Sequence, residues 1–518
     1  MIELLESVIH SKIFWMTTFL ISLYIYLKTV TFSYWQRHGV PQDEFTVPFG
    51  IFGIDSFMKR ISLGNVVKNS YDKLKKNSFH GLYMFHSPYI MINDPELIRH
   101  VLVKDFANFC DRGLYDNAEI DPLVGHLFFL SGDKWRTLRA KMSPTFTSGK
   151  LKHMFPLLND IAHEMILVTE ENLRKTNIIE MKDLIARYTT DTIFSLAFGL
   201  NSQSLKYPDS VFRHYGSLAL ETNLISGYLG LFAPKILYAL KQPFTDPKVI
   251  KFFTELFKDM VDKRRSEKIK RRDFLDSLID LMDNEQIVDR EIENSSKDIS
   301  AEKIARRLEL LEATAQAFVF FIAGFETSSS IATHCLYELA LNPQIQEKVH
   351  KEIDELKNNF KTFTYETLLQ LEYLDMVFYE TMRKHPSVPF LNRVCINDYQ
   401  IPNSNYTIPS GMGLIISVSG LHMNPDIFPE PENFDPTRFS KENMAIRHPY
   451  SYIPFGEGPR ICIGKRLGIL QSKMALFHLL SNYKFSVCEE TPIPSYYSPI
   501  SIVQSPRDGM TLKIEKRN

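Results

Sequence analysis

Between Ala301 and Leu341 the chain keeps a helical apolar pattern for about forty residues and then stops at Asn342-Pro343, a natural helix end. A helix of that length is about 60 Å long, enough to cross a whole domain. Its uncharged stretch, Ala313 to Phe325, is too short to span a bilayer and has the length of a buried core helix. Such a rod needs a large body packed around it. The composition supplies one, since 44% hydrophobic and 23% charged residues are globular proportions. Short strand-like runs such as Gly81–Ile92 sit near the start, so the expected fold is mostly α with a minor β component. Beyond residue 50 there is no internal repeat, low-complexity tract or convincing linker, and residues 51–518 read as a single domain.

The N-terminus reads differently. From Ile13 to Leu27 the sequence IFWMTTFLISLYIYL carries no charge, and with its flanks it reaches spanning length. No small-residue cleavage site follows and aromatics crowd its end, so residues 1–30 are expected to be an uncleaved transmembrane signal anchor. Glu3 and Glu6 precede the segment while Lys28, Arg37 and His38 follow it, a bias that places the body of the protein in the cytosol. Residues 31–50, punctuated at Val40-Pro41 and Val47-Pro48, read as a stiff, non-helical link. The apolar segment Tyr228–Phe244, broken by Pro234 and Pro243, fits either a stretch dipping into a membrane surface or a core helix interrupted by a turn.

Sixty basic residues against sixty-one acidic ones, with no basic run interleaved with aromatics, argue against a nucleic-acid partner. The five cysteines, Cys110, Cys335, Cys395, Cys462 and Cys488, contain no Cys-x-x-Cys pair. That excludes a disulfide scaffold and structural zinc, and suits a reduced, cytosol-facing environment.

Cys462 stands apart from the other four. It lies in PFGEGPRICIGKRLG, where Gly456, Gly458 and Gly464 let the backbone pass close to a flat ligand. A helical apolar pattern, Leu467, Leu470, Met474 and Phe477, begins just after it. A helix N-terminus and the nearby Arg460 are both expected to favour thiolate over thiol, and a thiolate is a strong axial ligand for haem iron.

Phe455, Gly458, Arg460, Cys462 and Gly464 reproduce F-x-x-G-x-R-x-C-x-G, and in this the chain resembles the cytochrome P-450 family. Five fixed positions would coincide by chance in a chain this long at about one in a thousand or less. The likeness runs from about residue 33 to the C-terminus. Glu380 and Arg383, three apart on a predicted helix, together with Arg438 resemble the family's structural lock behind the haem, although Thr437 stands where many relatives carry an acid. Trp135 and Arg139 resemble the family's haem-propionate contacts, and Arg112, Arg393 and Arg460 match further propionate-binding positions. In the long helix, the run Ala323-Gly324-Phe325-Glu326-Thr327 breaks local rules, since glycine costs about 1 kcal/mol in a helix interior. There Gly324 would let a small ligand and water sit against the helix. The resemblance implies that Thr327 hydrogen-bonds oxygen at the iron and that Glu326 helps to relay protons. The plainer alternative is a hydroxyl bonded back to its own helix beside an exposed carboxylate.

The resemblance implies a haem-thiolate monooxygenase with haem b as cofactor and O2 as co-substrate, inserting one oxygen atom into a lipophilic substrate, xenobiotic or endogenous. No G-x-G-x-x-G follows a predicted strand, so no flavin or NADP site is expected in this chain. Electrons would then come from NADPH through a separate flavoprotein reductase, with cytochrome b5 as a further partner, at the endoplasmic reticulum membrane. Phrases such as YWQRHGVP and SPTFTSGK look most like insect microsomal detoxification enzymes. A haem-thiolate isomerase or dehydratase and a non-catalytic haem sensor remain as alternatives. Asp116–Leu130, Val211–Ile225 and Val388–Leu391, apolar and aromatic-rich, are expected to line the substrate pocket.

Overall fold

The computed structural model describes residues 2–53, 61–220, 224–271, 273–284, 306–360, 362–499 and 501–517. Among the described residues helices dominate, and three small sheets accompany them. The long helix is Leu310–Leu341. It is shorter than its apolar pattern suggests, because residues 306–309 are not helical. The carboxylate of Glu312 reaches back to accept the Glu309 N–H at 2.9 Å, which caps the helix there. Leu308 N–H, already committed to Leu281 O at 2.9 Å, holds the preceding chain away from the axis. Residues 301–305, the start of the expected helix, lie outside the described residues.

From Ala313 to Ala340 this helix is buried on most of its surface. It packs against the helices Met181–Ala197, Lys465–Asn482 and Glu372–Lys384. Gly324 serves one of these crossings. A Cβ there would lie 2.6 Å from Ile193 Cδ1, so glycine admits the neighbouring helix closely.

The largest sheet runs Phe79–Met84, Ser87–Ile92, Gly413–Ser417, Phe390–Val394. The first two strands, where strand-like runs were expected, pair antiparallel as a hairpin, the middle pair is parallel and the last pair antiparallel. This last strand carries Arg393 into the interior, 1% exposed.

At the N-terminus Ile2–Tyr26 is helical, and Phe14, Trp15 and Phe19 are each more than 60% exposed. The stretch from Lys12 to Arg37 is long and apolar enough to cross a membrane, with none of its most apolar window buried. The long helix passes the same length test, but half of its most apolar window is buried in the body, as a core helix must be. Residues 31–50 are less of a free link than their prolines suggest. Tyr34–Arg37 forms a helical turn, Trp35 is fully buried, and its indole donates to Leu82 O at 3.0 Å. The segment Tyr228–Phe244 is divided: Leu231, Phe232 and Leu237 are buried, while Ile236, Tyr238 and Leu240 are exposed.

Candidate functional site

Cys462 sits in a tight loop that the glycines make possible. Cys462 N–H donates to Phe455 O at 3.0 Å, and Gly456 N–H to Ile453 O at 2.9 Å, so the loop folds back on itself. Gly456 and Gly458 have φ of +69° and +73°, conformations that side chains rarely adopt. A Cβ at Gly458 would also meet Leu102 O at 1.9 Å. A Cβ at Gly464 would meet no protein atom within 4 Å, so protein packing gives no reason for glycine at that place. The helix Lys465–Asn482 begins directly afterwards.

Cys462 is the one cysteine with an exposed side chain; Cys110, Cys335 and Cys395 are buried and Cys488 is intermediate. The protein walls around it still desolvate the thiol, and that burial pushes its pKa up, against the Gly464 N–H and the charges of Arg139, Arg112 and Lys465. Arg460 is engaged by other groups. Its guanidinium lies 4.1 Å over the Trp135 ring, donates to Leu130 O at 2.8 Å and stands 3.6 Å from Asp111.

The arginines are the unusual feature. Arg112, Arg393 and Arg460 are all held at about 9, far below the ordinary 12.5, first by burial and then by one another. Burial also lowers Arg139, which Cys462 partly offsets. Arg112 Nε, Arg393 Nε and both Nε and one terminal nitrogen of Arg460 are buried without a hydrogen-bond partner among the described residues. Asn392 Nδ2 ties Arg112 O at 2.7 Å, and Val394 N–H ties Asp111 O at 2.9 Å, which sets Arg112 beside Arg393. Buried cations with spare donors demand an anion, and several of them fit a dianion. Among the described residues no cluster of three or more His, Cys, Asp or Glu could chelate a metal. A metal held at Cys462 would therefore have to bring most of its own ligands, as an iron porphyrin does.

The expected lock is formed. Arg383 donates to both oxygens of Glu380 at 2.7 and 2.8 Å, and both side chains are fully buried. Arg438 Nε stands 3.5 Å from Glu380, and Asp435 N–H donates to the same oxygen at 2.9 Å. Arg383 also donates to the carbonyls of His422 and Pro431, so one guanidinium joins three segments. Thr437 bonds to Asp435 at 2.7 Å and leaves Arg438 in place.

In the middle of the long helix Val319, Ala323 and Thr327, spaced by four, keep open surface while most of their neighbours are buried. The Thr327 hydroxyl donates to Ala323 O, so the back-bonded alternative holds for the hydroxyl. It does not hold for Glu326, which is 6% exposed and lies 3.0 Å from Lys182. Lys182 left no signal in the sequence, since it is 144 residues upstream (326 − 182) on another helix. Of the expected pocket segments, residues 116–130 reach the long helix through Gln316, which donates to Gly125 O at 3.0 Å and accepts from Leu127 N–H at 3.3 Å. Leu391 approaches the cysteine loop at Gly456, and Gly216 packs on Phe321 of the long helix. Residues 221–223 lie outside the described residues.

A lone exposed cysteine before a helix, arginines with spare buried donors and a helix opened beside a threonine fit the needs of a haem held through a thiolate. Residues 48–512 match the cytochrome P450 family. Probable cytochrome P450 6a14 of Drosophila melanogaster is 39% identical over 497 residues, 94% of this chain and 96% of its own length. Cytochrome P450 6a8 of the same fly is 39% identical over 505 residues, 96% of each chain, and cytochrome P450 6A1 of Musca domestica 36% identical over 507, also 96% of each. This chain belongs to the cytochrome P450 family. It is a haem-thiolate monooxygenase, an oxidoreductase whose cofactor is haem iron.

Proposed function

We propose that the protein inserts one atom of O2 into a lipophilic molecule, xenobiotic or endogenous, and reduces the other to water. NADPH supplies the electrons through a separate flavoprotein reductase, with cytochrome b5 as a second donor. The observation that carries this reading is the convergence of arginines that keep buried nitrogens without a hydrogen-bond partner with the one exposed cysteine. Cys462 ligates the iron, Phe455 packs beside the ligating loop, and Arg112, Arg139, Arg393 and Arg460 with Trp135 bind the two carboxylates of haem b. Haem bound through a thiolate supplies an electron-rich centre for dioxygen chemistry.

The protein's own part is to place a substrate and to move protons. Thr327 gives its hydroxyl proton to Ala323 O, which leaves its oxygen lone pairs to accept from water. Turned into the site, the hydroxyl would hand its proton on while its oxygen takes one from that water, so the threonine ends the relay unchanged. Glu326 is paired with a partly exposed Lys182, so its carboxylate stands between the interior and solvent. The body, residues 51–518, works at the cytosolic face of the endoplasmic reticulum, held by the helix within residues 1–30; the exposed Ile236, Tyr238 and Leu240 give the Tyr228–Phe244 segment a second apolar contact.

Thr327→Val tests the proton route, because valine keeps the shape of threonine and removes only the hydroxyl. The reconstituted variant should keep its haem and go on consuming NADPH and oxygen. Oxygenated product per NADPH should fall several-fold as hydrogen peroxide rises. An unchanged ratio with several substrates removes Thr327 from the mechanism. Absence of reductase-dependent oxygen consumption in the parent would favour an isomerase or a haem sensor.

A further inference from the structure

The turn of the long helix that carries Thr327 is intrinsically weak. It follows Gly324, and Thr327 and Ser329 bond back to Ala323 O and Glu326 O, a habit that loosens and bends helices. Four bonds from outside restrain it. On one side Gln471 Nε2 donates to Gly324 O at 2.7 Å and Ser472 Oγ to Ser328 O at 3.4 Å, both from the helix that follows Cys462. On the other side Ser387 Oγ donates to Thr327 O at 3.1 Å, and Ser330 Oγ donates to Gln504 O.

These last two bonds belong to a closed circuit. Gln504 N–H donates to Ser387 O at 2.9 Å, so Ser387, Gln504 and Ser330 join end to end and return to Thr327 through one turn of helix. Gln504 is 3% exposed, and its side-chain oxygen accepts from Ser419 Oγ at 3.4 Å. Three segments distant in sequence, near residues 327, 387 and 504, are thereby locked in register. The circuit reaches the backbone of Thr327, while the hydroxyl of Thr327 stays free of it.

We infer that Ser387 is a positioning residue for Thr327: through the carbonyl of Thr327 and the link to Gln504, it fixes the height and rotation of the turn from which the Thr327 hydroxyl works. This rests on the proposed role of Thr327. The C-terminal segment around Gln504 then governs how efficiently electrons become product, although it contributes no group to the reaction.

The test compares Ser387→Ala, Ser387→Thr and Thr327→Val in the haem-loaded full chain with reductase and NADPH. Ser387→Ala should keep haem content while product per NADPH falls about two- to fivefold, the worth of roughly one hydrogen bond. Ser387→Thr, which retains the hydroxyl, should restore the ratio. Amide hydrogen exchange should rise in Ser387→Ala over residues 323–331 and stay unchanged in the distant helix Pro343–Asn359. A parental ratio and parental exchange in Ser387→Ala, with Thr327→Val uncoupled, would overturn the positioning role alone. A parental ratio in Thr327→Val would remove the reading on which that role stands.

Discussion

Arg393→Met should make the haem-free protein more stable and the haem-loaded protein leakier. Arg393 is 1% exposed, is held at about 9 in place of 12.5 by burial and by Arg460, and pairs with no carboxylate among the described residues. At about 1.4 kcal/mol per pH unit, that depression corresponds to roughly 4 to 5 kcal/mol stored against folding at neutral pH. Methionine keeps much of the stem's packing and removes the charge. Exchanging buried charge for a hydrophobe of similar volume often gains about 1–4 kcal/mol, so the urea midpoint of the haem-free chain, followed by circular dichroism, should rise. In the haem-loaded protein the same exchange strips a propionate of its partner. Losing one member of a buried charge pair costs about 2–5 kcal/mol, or roughly 30- to 5000-fold faster transfer of haem to a globin acceptor. A variant that releases haem at the parent's rate, or whose haem-free form is less stable than the parent's, would refute the idea that this arginine waits for an anion.

Cys462→Ser should abolish the thiolate-type spectrum of the reduced, carbon-monoxide-bound protein, whereas serine at Cys110, Cys335, Cys395 or Cys488 should leave it; survival of that spectrum in haem-loaded Cys462→Ser disproves the ligand assignment. Deleting residues 1–30 should release much of the protein from membranes in a flotation assay with the haem spectrum intact, and membrane binding as tight as the whole chain's would show that this helix is not the principal anchor. Stability should fall on acidification below about pH 6.5. Burial holds His126, His422 and His478 at about 3, so between there and 6.5 the unfolded chain binds the extra protons and the folded state loses ground. A urea midpoint constant from pH 7.5 to 5 would contradict this.

The cysteine loop was legible in the sequence because its chemistry is local. Glycines with positive φ, the cysteine and the following helix lie within fifteen residues, and each announces a backbone or ligand requirement at its own position. The apolar period of the long helix was equally plain, but its start was not, since the Glu309–Glu312 cap competes with a pattern that runs on before it. The Glu380–Arg383 pair was visible as a spacing, yet such spacings usually mark solvated surface. Only packing showed both side chains fully buried and bonded across three segments.

Gly324 shows the limit of reading residues alone. Sequence marks an exception in a helix, and only the approach of Ile193 says what the exception is for. Glu326 and Thr327 are adjacent in sequence and meet different fates: one is buried against Lys182, the other sits on the open face of the helix. The sequence by itself determined the fold class, the family, the cysteine proposed as the iron ligand and the residue types around it, because propensity, apolar period and turn chemistry act over a few residues. Tertiary structure alone decided which arginines lose their partners, where the long helix opens, and how Ser387 and Gln504 come to hold Thr327. Burial and long-range hydrogen bonding depend on segments hundreds of residues apart, and no local pattern encodes which of them will meet.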